Sequence, residues 1–322
     1  MRKTAILAVL MLLAAACDTG GDGVTTTTSL GDRVTTTTAA PPSTTTTNPA
    51  GGYPVTVEAD NGRVTIGERP ERIVSLSTVA TEMLFEIGAG LQVVAVDDQS
   101  NYPAEAPMTS LSGFTPNLEA ILSYQPDLVV ASYDPGDLVS GLEAVDVPVL
   151  LLGAAVGIKG VYGQIGVLGL ATGHIDRADA VNADVEAELA AIADEVGDRG
   201  EGLTYYHEID SNLYTVTSST FFGEIYKLFG LLNIADEADP DGFGYPRLSS
   251  EYVVVADPQL IFLANALYGE SAETVAARPG WDVMTAVRTG AVIELDSDVA
   301  SRWGPRIVDL ARAIADAVLA HS

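Results

Sequence analysis

The sequence predicts an α/β protein: two α/β lobes with mostly parallel sheets, joined by one long rigid helix, with a ligand cleft between the lobes. Three observations lead there. Short apolar runs alternate with helical stretches through most of the chain, the pattern of strand–helix–strand units. One segment occurs nearly twice. Residues 117–130 read NLEAILSYQPDLVV and residues 249–262 read SSEYVVVADPQLIF, which aligns Glu119 with Glu251, Pro126 with Pro258 and Leu128 with Leu260. Between the copies, residues 176–196 carry alanines, acids and spaced aliphatics (Val181, Val185, Leu189, Ile192, Val196), a continuous helical pattern about 30 Å long. A length of 322 residues leaves room for about two domains.

The chain opens with Met1, Arg2 and Lys3, then an apolar run over 4–16 that is too short to span a bilayer. Ala14, Ala15 and Ala16 precede Cys17. This resembles a bacterial lipoprotein signal, with cleavage before Cys17 and lipid on that residue, although Ala14 stands where such signals usually carry Leu. The expectation is an extracytoplasmic chain, anchored to the cell membrane by lipid. Residues 17–52 hold three runs of four threonines among Gly, Asp and Pro. With almost nothing to bury, they read as a disordered tether reaching very roughly 30 Å.

Folded sequence begins near Tyr53. Residues 55–66 alternate around Asn61-Gly62, so a β-hairpin is expected. Strands follow at 73–76, 92–96, 128–131 and 147–152, with a helix at 81–87 that stops at Gly88. Residues 157–173 carry Gly at 160, 163, 166 and 169 and read as a helix packed through small residues. The second half gives strands at 203–208, 260–264 and 291–295 and helices at 222–229 and 307–319. The organisation is thus a signal (1–16), a tether (17–52), an N-terminal lobe (53–157), a helical connector (158–197) and a C-terminal lobe (198–322).

A net charge of −28 with three lysines repels nucleic acid and anionic bilayers, so neither is an expected partner. The single cysteine, Cys17, excludes intramolecular disulfides and thiolate clusters. The histidines are His174, His207 and His321. His207 and Glu208 fall on opposite faces of a strand and do not chelate together. No GxSxG, Walker A or HExxH motif is present, and Gly88-Ala89-Gly90 follows a helix rather than a strand. The expectation is a binding protein without catalysis, resident cofactor or metal.

In open parallel sheets, ligands sit beyond the carboxyl ends of the strands. The loops expected there are 97–102, 113–116, 132–136, 208–214, 242–247 and 296–306. They are rich in aromatics: Phe114, Tyr133, Tyr214, Phe243, Tyr245 and Trp303. Such a lining suits a large, flat, partly apolar ligand.

Six pieces, taken in order, resemble one family. They are RPERIVSLSTVATEMLFEIGAG (69–90), NYPAEA (101–106), GFTPNLEAILSYQPDLVVA (113–131), LYTVTSSTFFGEIYKLFGLLNIADE (213–237), YPRLSSEYVVVADPQLIFLA (245–264) and GPRIVDLARAIADAV (304–318). Together they are similar to the solute-binding proteins of ABC importers for vitamin B12 and ferric siderophores. The resemblance implies a monomer that captures a corrinoid or a ferric chelate and hands it to a membrane permease dimer. It implies that Glu119 and Glu251 dock onto permease arginines, and that aromatics near Phe114, Tyr133, Tyr214 and Tyr245, with Asp298 and Arg302, contact a corrinoid. Gln99 stands where B12-binding relatives carry an aromatic. The alternatives are a ferric siderophore held by Arg247, Arg302 and Arg306, a haem ligand, or a receptor that senses its ligand without transport.

Overall fold

The computed structural model describes residues 52–322. The signal 1–16, Cys17 and the Thr-rich stretch as far as residue 51 lie outside the described residues.

The hairpin is formed by β1 (Val55–Ala59) and β2 (Gly62–Ile66), antiparallel about a turn of Asp60 and Asn61. Alternation buries Val55, Val57, Val64 and Ile66 on one face. The turn side chains are also used. Asp60 Oδ2 accepts from Gly153 N at 2.6 Å, and Asn61 Oδ1 accepts from Leu151 N at 3.1 Å. They cover the end of an edge strand that would otherwise expose unpaired backbone.

The N-terminal lobe runs β3 (Ile73–Leu76), α1 (Thr78–Glu86), β4 (Val93–Asp97), β5 (Met108–Leu111), α2 (Leu118–Leu122), β6 (Leu128–Ala131), α3 (Leu138–Glu143) and β7 (Val149–Leu151). The sheet order is β5-β4-β3-β6-β7, and every pairing is parallel. All residues of β3 and β6 are buried, which is why those strands read as unbroken short runs instead of alternating ones. Helix α1 starts where Ser77 Oγ accepts the Ala80 N–H at 3.1 Å.

Two helices follow, α4 (Gly157–Thr172) and α5 (Ile175–Val196). Helix α5 is the long helix expected from its pattern, and Ala178, Val181, Val185, Leu189, Ile192 and Val196 form its buried stripe. Helix α4 shares the bridging. It packs on β1 and α1 on one side and on a helix of the second lobe on the other, as well as on α5. Of its glycines, Gly169 sits at the crossing, where a Cβ would collide with the Ala178 methyl. Gly163 and Gly166 have open space around them, so the small-residue packing is local rather than continuous.

The C-terminal lobe runs β8 (Thr204–Glu208), α6 (Phe221–Lys227), β9 (Leu232–Asn233), α7 (Ser250–Ala256), β10 (Leu260–Leu263), α8 (Ala272–Ala276), α9 (Thr285–Thr289), β11 (Val292–Glu294) and α10 (Ile307–His321). Its order is β11-β10-β8-β9, all parallel. The run β9-β8-β10-β11 repeats β4-β3-β6-β7, so the lobes share one topology and β5 is an extra edge strand of the first.

The recurring sequence segment is recurrent in backbone as well. Asn117 Oδ1 accepts from Ala120 N at 3.0 Å, and Ser249 Oγ accepts from Tyr252 N at 3.1 Å, which caps α2 and α7 alike. Glu119 and Glu251 are each the second residue of their helix, and both are exposed. Each helix unit then closes through a left-handed residue, Gln125 (φ 50°) or Asp257 (φ 45°), just before Pro126 or Pro258. A strand follows in each case.

Candidate ligand-binding site

The strand orders locate the site. In the first sheet the chain leaves β3 toward β4 on one side and returns to β6 on the other. In the second, β8 stands between β9 and β10 in the same way. The topological switch points are therefore at the carboxyl ends of β3 with β6 and of β8 with β10. These ends belong to opposed lobes. Asn101, just beyond β4, donates from Nδ2 to Asp298 Oδ2 at 2.8 Å, and Asp298 lies just beyond β11. The contact brings the carboxyl edges of the two sheets together along one side.

On the N-terminal lobe, Phe114 and Tyr133 come together. Phe114 follows β5 and Tyr133 follows β6; their rings stack with centroids 5.7 Å apart. Gly113 allows the approach, since a Cβ there would lie 2.6 Å from the Leu76 carbonyl oxygen. Phe114 remains 52% exposed, and burial pushes the Tyr133 phenol up, so that hydroxyl stays protonated as a donor. The floor beside them is a hydroxyl network. Ser132 Oγ donates to Ser77 Oγ at 2.7 Å, and Thr81 Oγ1 donates to Ser75 Oγ at 2.9 Å.

On the C-terminal lobe, Tyr214 and Tyr245 lie on two adjoining loop segments. Tyr214 makes an antiparallel bridge with Arg247, and Thr215 N donates to Pro246 O at 3.1 Å. Tyr245 meets Phe243 edge-on at 6.3 Å, and burial pushes its phenol up. Phe243 is itself 61% exposed. Trp303, on the loop after β11, donates its indole N–H to Gln164 Oε1 of α4 at 3.1 Å, which ties that loop to the connector.

Asp298 and Arg302, which the resemblance implied as ligand contacts, are joined in a network between the lobes. Asp298 uses one carboxylate oxygen for Asn101 and the other for Arg302 Nη2 at 2.9 Å. The Arg302 guanidinium is buried and donates to Glu82 Oε1 at 2.7 Å and to Asn101 Oδ1 at 2.8 Å. Arg306 adds a weaker bond to Glu82 Oε1 at 3.4 Å and lies over the Tyr102 ring at 4.3 Å. In this arrangement the two arginines are spent on inter-lobe contacts. The sequence reading passed over Glu82, which is almost fully buried in α1. Its signal was there: an acid among Val79, Ala80, Met83 and Leu84, which are buried apolar residues of the same helix. Burial pushes the Glu82 carboxyl up, and the guanidinium groups of Arg302 and Arg306 pull it back part of the way.

A second buried cluster closes the far side of the C-terminal switch point. Glu208 is fully buried and is held by both terminal nitrogens of Arg278 and by Asn265 Nδ2 at 2.9 Å. His207 points the other way, as strand alternation requires. Its Nδ1 lies 2.8 Å from the Tyr226 hydroxyl, its ring stacks on Phe222, and burial lowers its pKa to about 4. Beyond Asn265, Leu267 and Tyr268 are exposed apolar residues on the loop after β10. Leu267 N is tied to Ser297 Oγ at 3.2 Å, beside Asp298. Sequence reasoning missed this loop because its strand ends in an uninterrupted apolar run that gives no sign of where the cleft begins. Among the described residues, no group of three or more His, Cys, Asp or Glu is placed to hold a metal ion.

Two-lobed architecture, parallel sheets whose carboxyl edges meet and bridging helices are the fold of periplasmic binding proteins, a family of transport solute-binding proteins and not of enzymes. The model of the periplasmic binding protein family matches residues 73–299, and the chain belongs to that family. Among curated relatives, a cobalamin-binding protein of Halobacterium salinarum is 32% identical, over 82% of this chain and 74% of its own length. An uncharacterized ABC transporter substrate-binding lipoprotein of Bacillus subtilis is 29% identical, over 83% of this chain and 86% of its own. Among solved structures, a periplasmic haem-binding protein of Roseiflexus is 26% identical with a TM-score of 0.66, covering 77% of this chain and 99% of that one. The periplasmic vitamin B12-binding protein of Vibrio cholerae has a TM-score of 0.64 at 23% identity, over 77% and 96% of the two chains, a likeness of fold.

Proposed function

We propose that this protein is the ligand-capturing component of an ABC importer and that its ligand is a corrinoid. The observation that carries the reading is two aromatic contacts, exposed Phe114 on half-buried Tyr133 and exposed Phe243 on half-buried Tyr245, on loops at the carboxyl edges of the two sheets. Two such walls grip a broad, flat, partly apolar ligand through ring faces and edges, with the phenols of Tyr133 and Tyr245 available as donors. Tyr214 completes the second wall. The cobalamin-binding name of the 32% identical relative supports the same ligand class.

Arginine placement speaks against the ferric siderophore reading. An anionic chelate needs converging guanidinium groups. Of Arg247, Arg302 and Arg306, the last two are engaged with Glu82, and Arg247 alone is exposed.

Delivery follows from the two exposed carboxylates. Glu119 and Glu251 occupy equivalent positions on topologically equivalent lobes, so they offer a two-fold permease dimer a matched pair of charge-assisted contacts. Lipid on Cys17 would hold the protein at the outer face of the membrane, within reach of that permease. Replacing Cys17 with Ser tests the anchor: the protein should leave the membrane fraction, and persistent membrane association would refute it.

The ligand is tested by thermal shift of the purified protein with cyanocobalamin, haem and a ferric hydroxamate in parallel. A ligand at about a hundred times its Kd adds about 2.7 kcal/mol to the folded state. Stabilisation by cyanocobalamin alone supports the reading. Stabilisation by haem or the hydroxamate alone replaces it.

A further inference from the structure

We infer that Glu82, Arg302 and Asn101 form a positioning triad that fixes the angle between the lobes in the ligand-free protein. The triad joins three separate stretches of chain: α1, the loop after β4, and the loop between β11 and α10. Arg302 stands at its centre, bonded to Glu82 and Asn101 of the N-terminal lobe and to Asp298 of its own. Asn101 closes the ring by donating back to Asp298. Each of these side chains would make a good surface ion pair or hydrogen bond by itself. Here the central ion pair is removed from water: the Arg302 side chain is 8% exposed and that of Glu82 is 2% exposed.

Burial gives the pair its effect. A surface ion pair tolerates drift because water replaces a lost partner at little cost. A buried pair does not, because separation leaves both charges without solvent. Rotating the lobes along this side would pull Arg302 from Glu82 and leave the buried carboxylate without its main partner. Glu82 already has one oxygen, Oε2, buried without a hydrogen-bond partner, and its contact besides Arg302 is the longer Arg306 bond at 3.4 Å. Gly304 is part of the fit, since a Cβ there would lie 3.2 Å from that oxygen. The arrangement fixes the side of the cleft nearest Trp303 and α4 and leaves the aromatic walls as the part free to adjust. The inference holds whichever ligand the cleft takes.

The test is the distribution of inter-lobe distances by pulsed electron paramagnetic resonance on the full chain. Spin labels are placed by Ser140→Cys in α3 and Ala272→Cys in α8, both exposed, in a Cys17→Ser background. With the triad intact, one narrow distribution is expected without ligand. Glu82→Ala and Arg302→Ala should each broaden it by about twofold or more, and the double variant should broaden it no further than either alone, because the two act through one contact. Arg302→Lys, which keeps the charge but loses the fork, should fall between. If Glu82→Ala does not fold, Asn101→Ala provides the same readout from an exposed position and should also broaden the distribution. Distributions as narrow as the parent's in folded Glu82→Ala and Arg302→Ala, or in Asn101→Ala, overturn the inference. None of these distances requires cobalamin, so failure of the ligand assignment leaves the result readable.

Discussion

Arg278 holds the fully buried carboxylate of Glu208 in a two-pronged grip, Nη1 to Oε2 and Nη2 to Oε1, at 2.6 Å each. The same guanidinium lies 4.5 Å from the centroid of the Trp281 ring, and the Trp281 indole N–H donates to Ser250 Oγ at 2.6 Å, next to Glu251. Arg278 thus links the carboxyl end of β8 to the helix that carries the second exposed glutamate. Arg278→Ala would strand a buried charge at Glu208, so a loss on the order of 3–5 kcal/mol is expected. Adding Glu208→Gln to Arg278→Met should recover much of it, because an uncharged pair no longer needs a counter-ion. Urea denaturation of the single and double variants checks both statements.

The stacked pair on the N-terminal lobe should matter to ligand and little to fold. Phe114 is half exposed, so Phe114→Ala removes ring contact from the cleft without emptying a core. A weakening of cyanocobalamin binding by about five- to thirtyfold is expected, about 1–2 kcal/mol, with the melting midpoint nearly unchanged. Fluorescence titration and a thermal melt measure the two effects. An unchanged affinity would remove Phe114 from the site.

The exposed glutamates should separate binding from delivery. Glu119→Ala combined with Glu251→Ala leaves both aromatic walls in place, so affinity for cyanocobalamin should match the parent. Uptake into vesicles carrying the permease should fall by about tenfold or more, since each lost charge-assisted contact removes on the order of 1.5–3 kcal/mol. Uptake at the parent rate would sink the docking role.

His207 predicts an acid-sensitive core. Its folded pKa of about 4 lies below the ordinary value of 6.5, so the unfolded chain takes up a proton first as pH falls. The stability due to neutral His207 is full above the ordinary value and is lost progressively down to about 4, a total on the order of 3 kcal/mol. His207→Gln, which keeps a hydrogen-bond partner for the Tyr226 hydroxyl, should flatten the stability curve across that window. Denaturation series at several pH values, for parent and variant, decide it. Parallel curves would contradict the assignment.

The sequence made the lobes legible because their central strands are apolar and their helices are long enough to show a period. Residues 73–76 and 128–131 were placed to the residue. Strands β5 and β9 were not, since MTSL and LN carry too little apolar patterning to stand out from loop. The short helices α3, α8 and α9 are one to two turns long, below the length at which a 3.6 period can be read. In the candidate site, the loops that carry Phe114, Tyr133, Tyr214 and Tyr245 were legible, because strand order alone places loop residues at the carboxyl edge. Side-chain direction was beyond reach. Arg302 turns inward because Glu82 awaits it, and that partner lies 220 residues away in sequence.

The most direct test of the corrinoid assignment is calorimetric titration of the full chain with cyanocobalamin. One ligand per chain with a Kd tighter than about 1 μM, about −8 kcal/mol, is the expected result. No heat and no fluorescence change up to about 100 μM cyanocobalamin, from protein that does bind haem or a ferric hydroxamate under the same conditions, would contradict it.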